Sequence, residues 1–245
     1  MAAVVLVLAV ALTAACGTRT AAGLTRQVPA TGGAISETGS GLLYPLMRDW
    51  ATAYHQQVPN VTVTTASTGS GAGITAASDG TADIGASDAY LSSGDLVKNP
   101  ELLNIPLAIS AQTIIYNLPQ LGSRHLNLNG TVLAGIYDGS ITTWNAPAIA
   151  ALNPGLSLPG IPIVPVHRSD SSGDTFLFSS YLSTQDQSWN NAIGYGTTVA
   201  WPTAPRAVAA KGSLGVLDEC ESVVGCVTYN GISYLSQALG SWALR

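Results

Sequence analysis

The chain has 245 residues, 47% of them hydrophobic and only 9% charged, which is enough apolar material for a real core and too little charge for a disordered tail. Its net charge is −5 and its few lysines and arginines form no cluster, so a basic nucleic-acid-binding face is excluded. The 26 glycines and 13 prolines predict many turns, as in loop-rich mixed α/β proteins.

The chain opens on MAAVVLVLAVALTAAC, an apolar run shorter than the ~20 residues of a membrane span but matching the core of an export signal. Small residues then lead to Cys16. The pattern predicts a signal peptide over residues 1–15 and lipidation of Cys16 on the outer face of the cell membrane. Residues 16–34, rich in Gly, Thr and Ala without periodicity, read as a tether. The body follows. Apolar residues recur at helical spacing from Leu42 to Tyr54, PNVTVTTAS alternates like a strand, Gly71 to Ser78 reads as a helix and ADIGAS as the next strand. Strand, glycine-hydroxyl turn, helix and strand make a βαβ unit and favour a parallel sheet. A strand is expected over Leu107–Leu118, helices in NGTVLAGIYDG and NAPAIAALNPG, and a strand in IPIVPVHR that feeds a helix in SDSSGDTFLFSSYLS. Cys220 and Cys226 lie close together, and in an exported protein they read as a local disulfide. Without a neighbouring histidine they make a poor zinc site.

Three junctions carry hydroxyls or glycine ahead of a helix: Ser40–Gly41–Leu42, Ser70, and Ser172–Gly173–Asp174. A helix start exposes unpaired N–H groups and a partial positive charge, and Arg168 at the end of a strand adds a fork for an oxyanion. Capping of the helix by Ser172 or Asp174 and pairing of Arg168 with Asp170 explain the same residues without a ligand. Around Ser70 the glycine spacing misses the dinucleotide fingerprint, no Lys-Ser/Thr follows as in a P-loop, and Gly69 adjoins Ser70 where a hydrolase elbow needs a glycine two places earlier. Asp88 ends its strand with a carboxylate. When ionised it can only accept hydrogen bonds, so beside an anion it tolerates one that carries a proton, as phosphate does near neutral pH and sulfate does not. His55, His125 and His167 read as two surface residues and a strand-end residue rather than as bases of a phosphatase, and no nucleophile or metal cluster is evident.

The segments GSGLLYPLMRDW, VTTASTGSGAGITAASDGTADIGASDAYLS and VPVHRSDSSGDTFLFSSYLS resemble the phosphate-binding components of bacterial phosphate ABC transporters, the PstS family, and within it the mycobacterial lipoproteins. LNLNGTVLAGIYDGSITTWNAPAIAALNPG and GCVTYNGISYL are similar to that family too, so the likeness runs from about Ile35 to Leu235. The resemblance implies a two-lobe periplasmic-binding-protein-like (type II) α/β fold. Its lobes would span residues 35–110 and 111–245, with the C-terminal part of the first lobe missing, since family members continue past GISYL. It implies inorganic phosphate as ligand, held by Ser40, Gly41, Leu42, Ser70, Asp88, Arg168, Ser172, Gly173 and Asp174, with Asp170 tempering the arginine. It also implies a membrane permease and its ATPase as partners, a lipid anchor, and no cofactor, metal or catalysis. Gly41 stands where relatives usually carry threonine, which removes a hydroxyl donor and predicts weaker binding. Another oxyanion such as sulfate or molybdate, or a shortened lipoprotein without transport function, are the competing expectations.

Overall fold

The computed structural model describes residues 32–234. The expected signal peptide, Cys16 and nearly all of the tether lie outside the described residues. Among the described residues no helix is long and apolar enough to cross a membrane.

Two sheets organise the chain. The first holds β1 (Gly33–Gly39), β2 (Val61–Ser67) and β3 (Ile84–Ala86) in the order β2-β1-β3, all parallel. Helix α1 (Tyr44–Gln57) joins β1 to β2, and α2 (Ser70–Ser78) carries the chain from β2 across β1 to β3. The βαβ expectation thus holds, with β1 inserted between its strands. β1 itself has no apolar alternation in GAISETG and carries no strand signal of its own. It is specified by its neighbours, which pair along all seven of its residues on the β2 side. Helix α2 lies so close to the sheet that a Cβ on Gly73 would meet backbone atoms of Gly39, Thr38 and Ala86 within 3.0 Å, so glycine is required there.

After α3 (Ser93–Lys98) comes the second sheet, ordered β4-β7-β5-β6 from β4 (Gln112–Tyr116), β5 (Val164–Arg168), β6 (Val208–Ala210) and β7 (Cys226–Gly231). β5 runs parallel to β6 and β7, while β4 is antiparallel to β7. Helices α4 (Gly130–Asp138), α5 (Pro147–Leu152), α6 (Gly173–Gln185), α7 (Gln187–Ala192) and α8 (Gly212–Ser222) complete this half. α4 starts on the Asn129 side chain, which accepts from Val132 N–H, and stops at left-handed Gly139, as its flanking residues predict.

The expected strand over Leu107–Leu118 is shorter than its sequence suggests. The ladder with β7 begins at Gln112, opposite Gly231, preceded by one bond from Ile232 N–H to Ala111 carbonyl at 2.8 Å, and residues 107–110 have no ladder partner among the described residues. Leu103, Ile105, Leu107 and Ile109 point outward, Ile109 fully exposed. β-propensity alone does not make a strand where no neighbour supplies hydrogen bonds.

The core is concentrated around the second sheet. One face packs Tyr137, Trp144, Ile149, Phe178, Leu182, Trp189, Val227 and Tyr229 against one another. The other packs Ile115, Val164, Val166, Val216, Leu217 and the Cys220–Cys226 disulfide. β5 and β7 are buried almost throughout: Val164, Val166, Cys226, Val227 and Tyr229 fill the two clusters, and the buried Thr228 and Asn230 side chains donate to the carbonyls of Val166 and Ser213.

Candidate functional site

Five of the parallel strands deliver a polar residue near the junction of the two sheets. Ser40 follows β1, Ser70 follows β2, Asp88 follows β3, Arg168 closes β5, and Ser213 follows β6. Crevices beyond the carboxyl ends of parallel strands are where α/β sheets gather ligand groups.

From the first sheet, Ser40 and Ser70 converge on Asp88. Ser40 Oγ donates to Asp88 Oδ1 at 2.6 Å and Ser70 Oγ to Oδ2 at 3.2 Å, while Asp88 N–H donates to Ser70 Oγ at 3.1 Å. Both serines are fully buried. The Ser40 hydroxyl also accepts from Leu43 N–H at 3.1 Å, which fixes the turn entering α1. Burial pushes the Asp88 carboxyl above its ordinary value, and the two hydroxyls and Arg168 pull it partly back.

From the second sheet, Arg168 is buried between two carboxylates. It forms a two-pronged pair with Asp170, the Nε–Oδ1 bond being 2.7 Å and the second prong running from Nη2 to Oδ2, and its Nη1 reaches Asp174 Oδ2 at 2.8 Å. Burial alone would raise the Asp170 pKa, but the guanidinium and Gly212 N–H outweigh it and hold it low. Asp174 goes the other way. Its near-complete burial lifts it to about 6 against the pull of Arg168, with the Asp88 charge adding to the rise. Asp170 and Asp174 together offset the single positive charge, so the pocket has no net basic character. What it offers an anion is dipolar. Ser172 caps α6 by accepting from Thr175 N–H, and the head of that helix presents its first N–H groups beside Asp88.

The halves meet closely. Gly71 N–H donates to Ser171 carbonyl at 3.2 Å, and a Cβ on Gly173 would lie 2.6 Å from Asp88 Cβ. Gly69 has φ +94°, and a side chain there would strike Ser171 carbonyl and Asp170. The structure therefore brings together Ser40, Ser70, Asp88, Arg168, Asp170, Ser172, Gly173 and Asp174. The Ser172 cap and the Arg168–Asp170 pair, which explain those residues without a ligand, are both present. Gly41 and Leu42 are buried on the loop after Ser40, with Gly41 carbonyl accepting from Tyr234 Oη at 2.9 Å and Leu42 carbonyl from Ser233 Oγ at 3.3 Å.

Three residues escape a reading of the sequence alone. Ser213, at the head of α8, lies 3.2 Å from Arg168 Nη1 and 3.3 Å from Asp174 Oδ2. Its hydroxyl stands 2.6 Å from where a Cβ on residue 41 would be, so it fills the space beside Gly41. Its signal is KGSLG, another glycine-hydroxyl turn after a strand. Gln112 Nε2 donates to Asp174 carbonyl at 2.8 Å, and Tyr234 closes over the Ser40 loop, neither with a local signal. Of the histidines, His55 and His125 are exposed, and His167 stacks on Trp201 at 4.7 Å. Among the described residues no group of three His, Cys, Asp or Glu side chains is placed to hold a metal ion.

Comparison with known proteins gives a consistent picture. A protein-family model described as a PBP superfamily domain matches residues 24–240. The phosphate-binding protein PstS of Xylella fastidiosa is 38% identical over 218 residues, covering 85% of this chain and 58% of its own length. PstS 3 of Mycobacterium leprae is 34% identical over 210 residues, covering 82% of this chain and 54% of its own. The chain thus spans less than three-fifths of the length of these curated relatives. Among solved structures, a phosphate ABC transporter substrate-binding protein from Clostridium perfringens superposes with a TM-score of 0.65 at 21% identity, covering 82% of this chain and 71% of that one, which speaks to the fold alone.

Proposed function

This chain belongs to the PBP superfamily, and from that premise we propose that it binds inorganic phosphate as the capture component of an ABC-type import system. Its ligand-binding residues in this reading are Ser40, Gly41, Leu42, Ser70, Asp88, Arg168, Ser172, Gly173 and Asp174, with Asp170 as the arginine's counter-charge and Ser213 added by its contacts. One observation carries the reading: a partly buried carboxylate, Asp88, is held by two fully buried serine hydroxyls directly against the head of α6 and beside a charge-compensated arginine.

That arrangement suits a protonated tetrahedral oxyanion. Hydroxyls and helix N–H groups donate to its oxygens, Arg168 supplies the cationic edge, and Asp88 accepts a hydrogen bond from the ligand's own hydroxyl. An anion with no proton leaves Asp88 facing negative charge in a desolvated site. The Coulomb cost disfavours it, and this is how phosphate is told from sulfate. The Ser40 and Ser70 hydroxyls now bonded to Asp88 can rotate to the ligand at little cost. A binding role also follows from what relatives are named for, the Xylella fastidiosa and Mycobacterium leprae proteins both being phosphate-binding proteins. In this reading the chain has no catalytic residue, is anchored through Cys16 to the outer face of the membrane, and hands phosphate to a permease and its ATPase.

Calorimetric titration tests it. Phosphate should bind the parent and raise its thermal midpoint, sulfate and molybdate should not, and Arg168→Ala should abolish the rise. Asp88→Asn should narrow the preference for phosphate over sulfate by removing the repulsion. Equal response of the parent to sulfate and phosphate would overturn the assignment.

A further inference from the structure

Tyr90 lies two residues beyond Asp88, on the segment leaving the first sheet, while Phe176 lies on the first turns of α6 and Tyr195 follows α7. We propose that these three rings form an aromatic latch across the mouth of the cleft that sets how fast a bound anion escapes. The proposal rests on the phosphate-binding reading for its ligand but not for its geometry.

The contacts are specific. Tyr90 meets Phe176 edge-on, with ring centroids 5.2 Å apart and planes at 89°. Phe176 meets Tyr195 in the same manner at 5.7 Å and 75°. The two phenol oxygens of Tyr90 and Tyr195 are 3.4 Å apart, within hydrogen-bond reach. Edge-on packing is the favoured geometry of aromatic pairs, because the positive ring edge faces the negative ring face. Yet Tyr90 is 58% exposed and Tyr195 52% exposed, and none of the three rings belongs to either core cluster. The core does not need them. Their partners lie on the other half of the molecule, Tyr90 travelling with β3 and Asp88, Phe176 and Tyr195 with α6 and α7.

Opening the cleft by rotating the halves apart must separate Asp88 from the head of α6, and it must break the Tyr90 contacts in the same motion. The contacts exist only when the halves are shut. They therefore act on the opening step and on ligand release, and leave encounter with the open form untouched. An edge-on ring pair plus a hydroxyl contact corresponds to roughly a ten-fold change in rate.

Stopped-flow measurement of phosphate binding and release on the full chain tests this, alongside small-angle scattering without phosphate. Tyr90→Ala should release phosphate about ten-fold faster with its association rate within about two-fold of the parent. Tyr90→Phe keeps the ring and should recover most of the slow release. Without phosphate, Tyr90→Ala should scatter with a larger radius of gyration than the parent. Parent-like release by Tyr90→Ala, or a change confined to the association rate, overturns the latch. Should the parent not respond to phosphate, the phosphate reading fails instead, and the latch stands or falls on whether Tyr90→Ala expands the protein in scattering.

Discussion

Gly173 opens α6 at the point where the two halves meet, and replacing it with alanine is a direct probe of that junction. Its conformation is one that any residue adopts, and alanine would favour the helix, so the consequence comes from space alone. The new Cβ would lie 2.6 Å from Asp88 Cβ, and closer still to Asp88 Oδ2 and Ser70 Oγ. Ordinary contact begins near 3.4 Å, so Asp88 Cβ alone is overlapped by most of an ångström. Side-chain rotation can move the carboxylate and the hydroxyl but not Asp88 Cβ, so relief requires the first-sheet loops to retreat from α6. Overpacking of this kind costs about 1–3 kcal/mol. Set against cleft closure, that is roughly a 5- to 150-fold loss of phosphate affinity. The overlap exists only when the cleft is shut, so the thermal midpoint should fall less without phosphate than with it. Calorimetry with Gly215→Ala as control makes the comparison. Gly215 lies inside α8, where the nearest atoms stand 3.9 Å from the position of an added methyl, so that variant should keep parent affinity and gain slightly in stability. Parent-like affinity in Gly173→Ala would refute the juxtaposition of Asp88, Ser70 and the head of α6.

Two further outcomes follow from buried groups. Burial raises the Glu37 carboxyl to about 7 and Asp174 to about 6, so folding favours their protonated forms; that contribution is full near pH 4 and is lost as pH rises through 6 and 7. His167, whose burial lowers its pKa, works in the opposite sense below pH 6.5. Comparing Glu37→Gln with the parent isolates one contribution: the variant's thermal midpoint should fall less between about pH 6 and 8, and identical slopes would contradict a buried, proton-binding Glu37. The Cys220–Cys226 bond closes a short loop, with a sequence separation of 6, where α8 returns to β7. Its reduction should cost about 2 kcal/mol and lower the thermal midpoint by about 4–8 °C, and an unchanged midpoint in reductant would refute a stabilising role.

The local features of the chain are legible in its sequence because they follow from local chemistry. Alternating Val and Thr specify β2, Asn129 and Gly139 bracket α4, and the apolar run before Arg168 specifies a strand buried on both faces. The hydroxyls, the carboxylate and the arginine of the candidate site can be named from motifs at strand ends, but capping and ion pairing use the same residues, so the motifs alone do not separate a ligand site from local structure. Tertiary structure decided what those residues do to one another. Ser40 and Ser70 share Asp88 across 48 and 18 residues of sequence, and Arg168 divides itself between Asp170 and Asp174 while touching Ser213, 45 residues away. β1 and the unpaired stretch before Gln112 show the same division for the backbone. GAISETG lacks strand chemistry but has a neighbour on each side, whereas LAIS has the chemistry and lacks a ladder neighbour among the described residues. Hydrogen-bond ladders, desolvation and charge compensation all depend on what the folded chain places alongside, and that is a property of distance in space rather than of order along the chain.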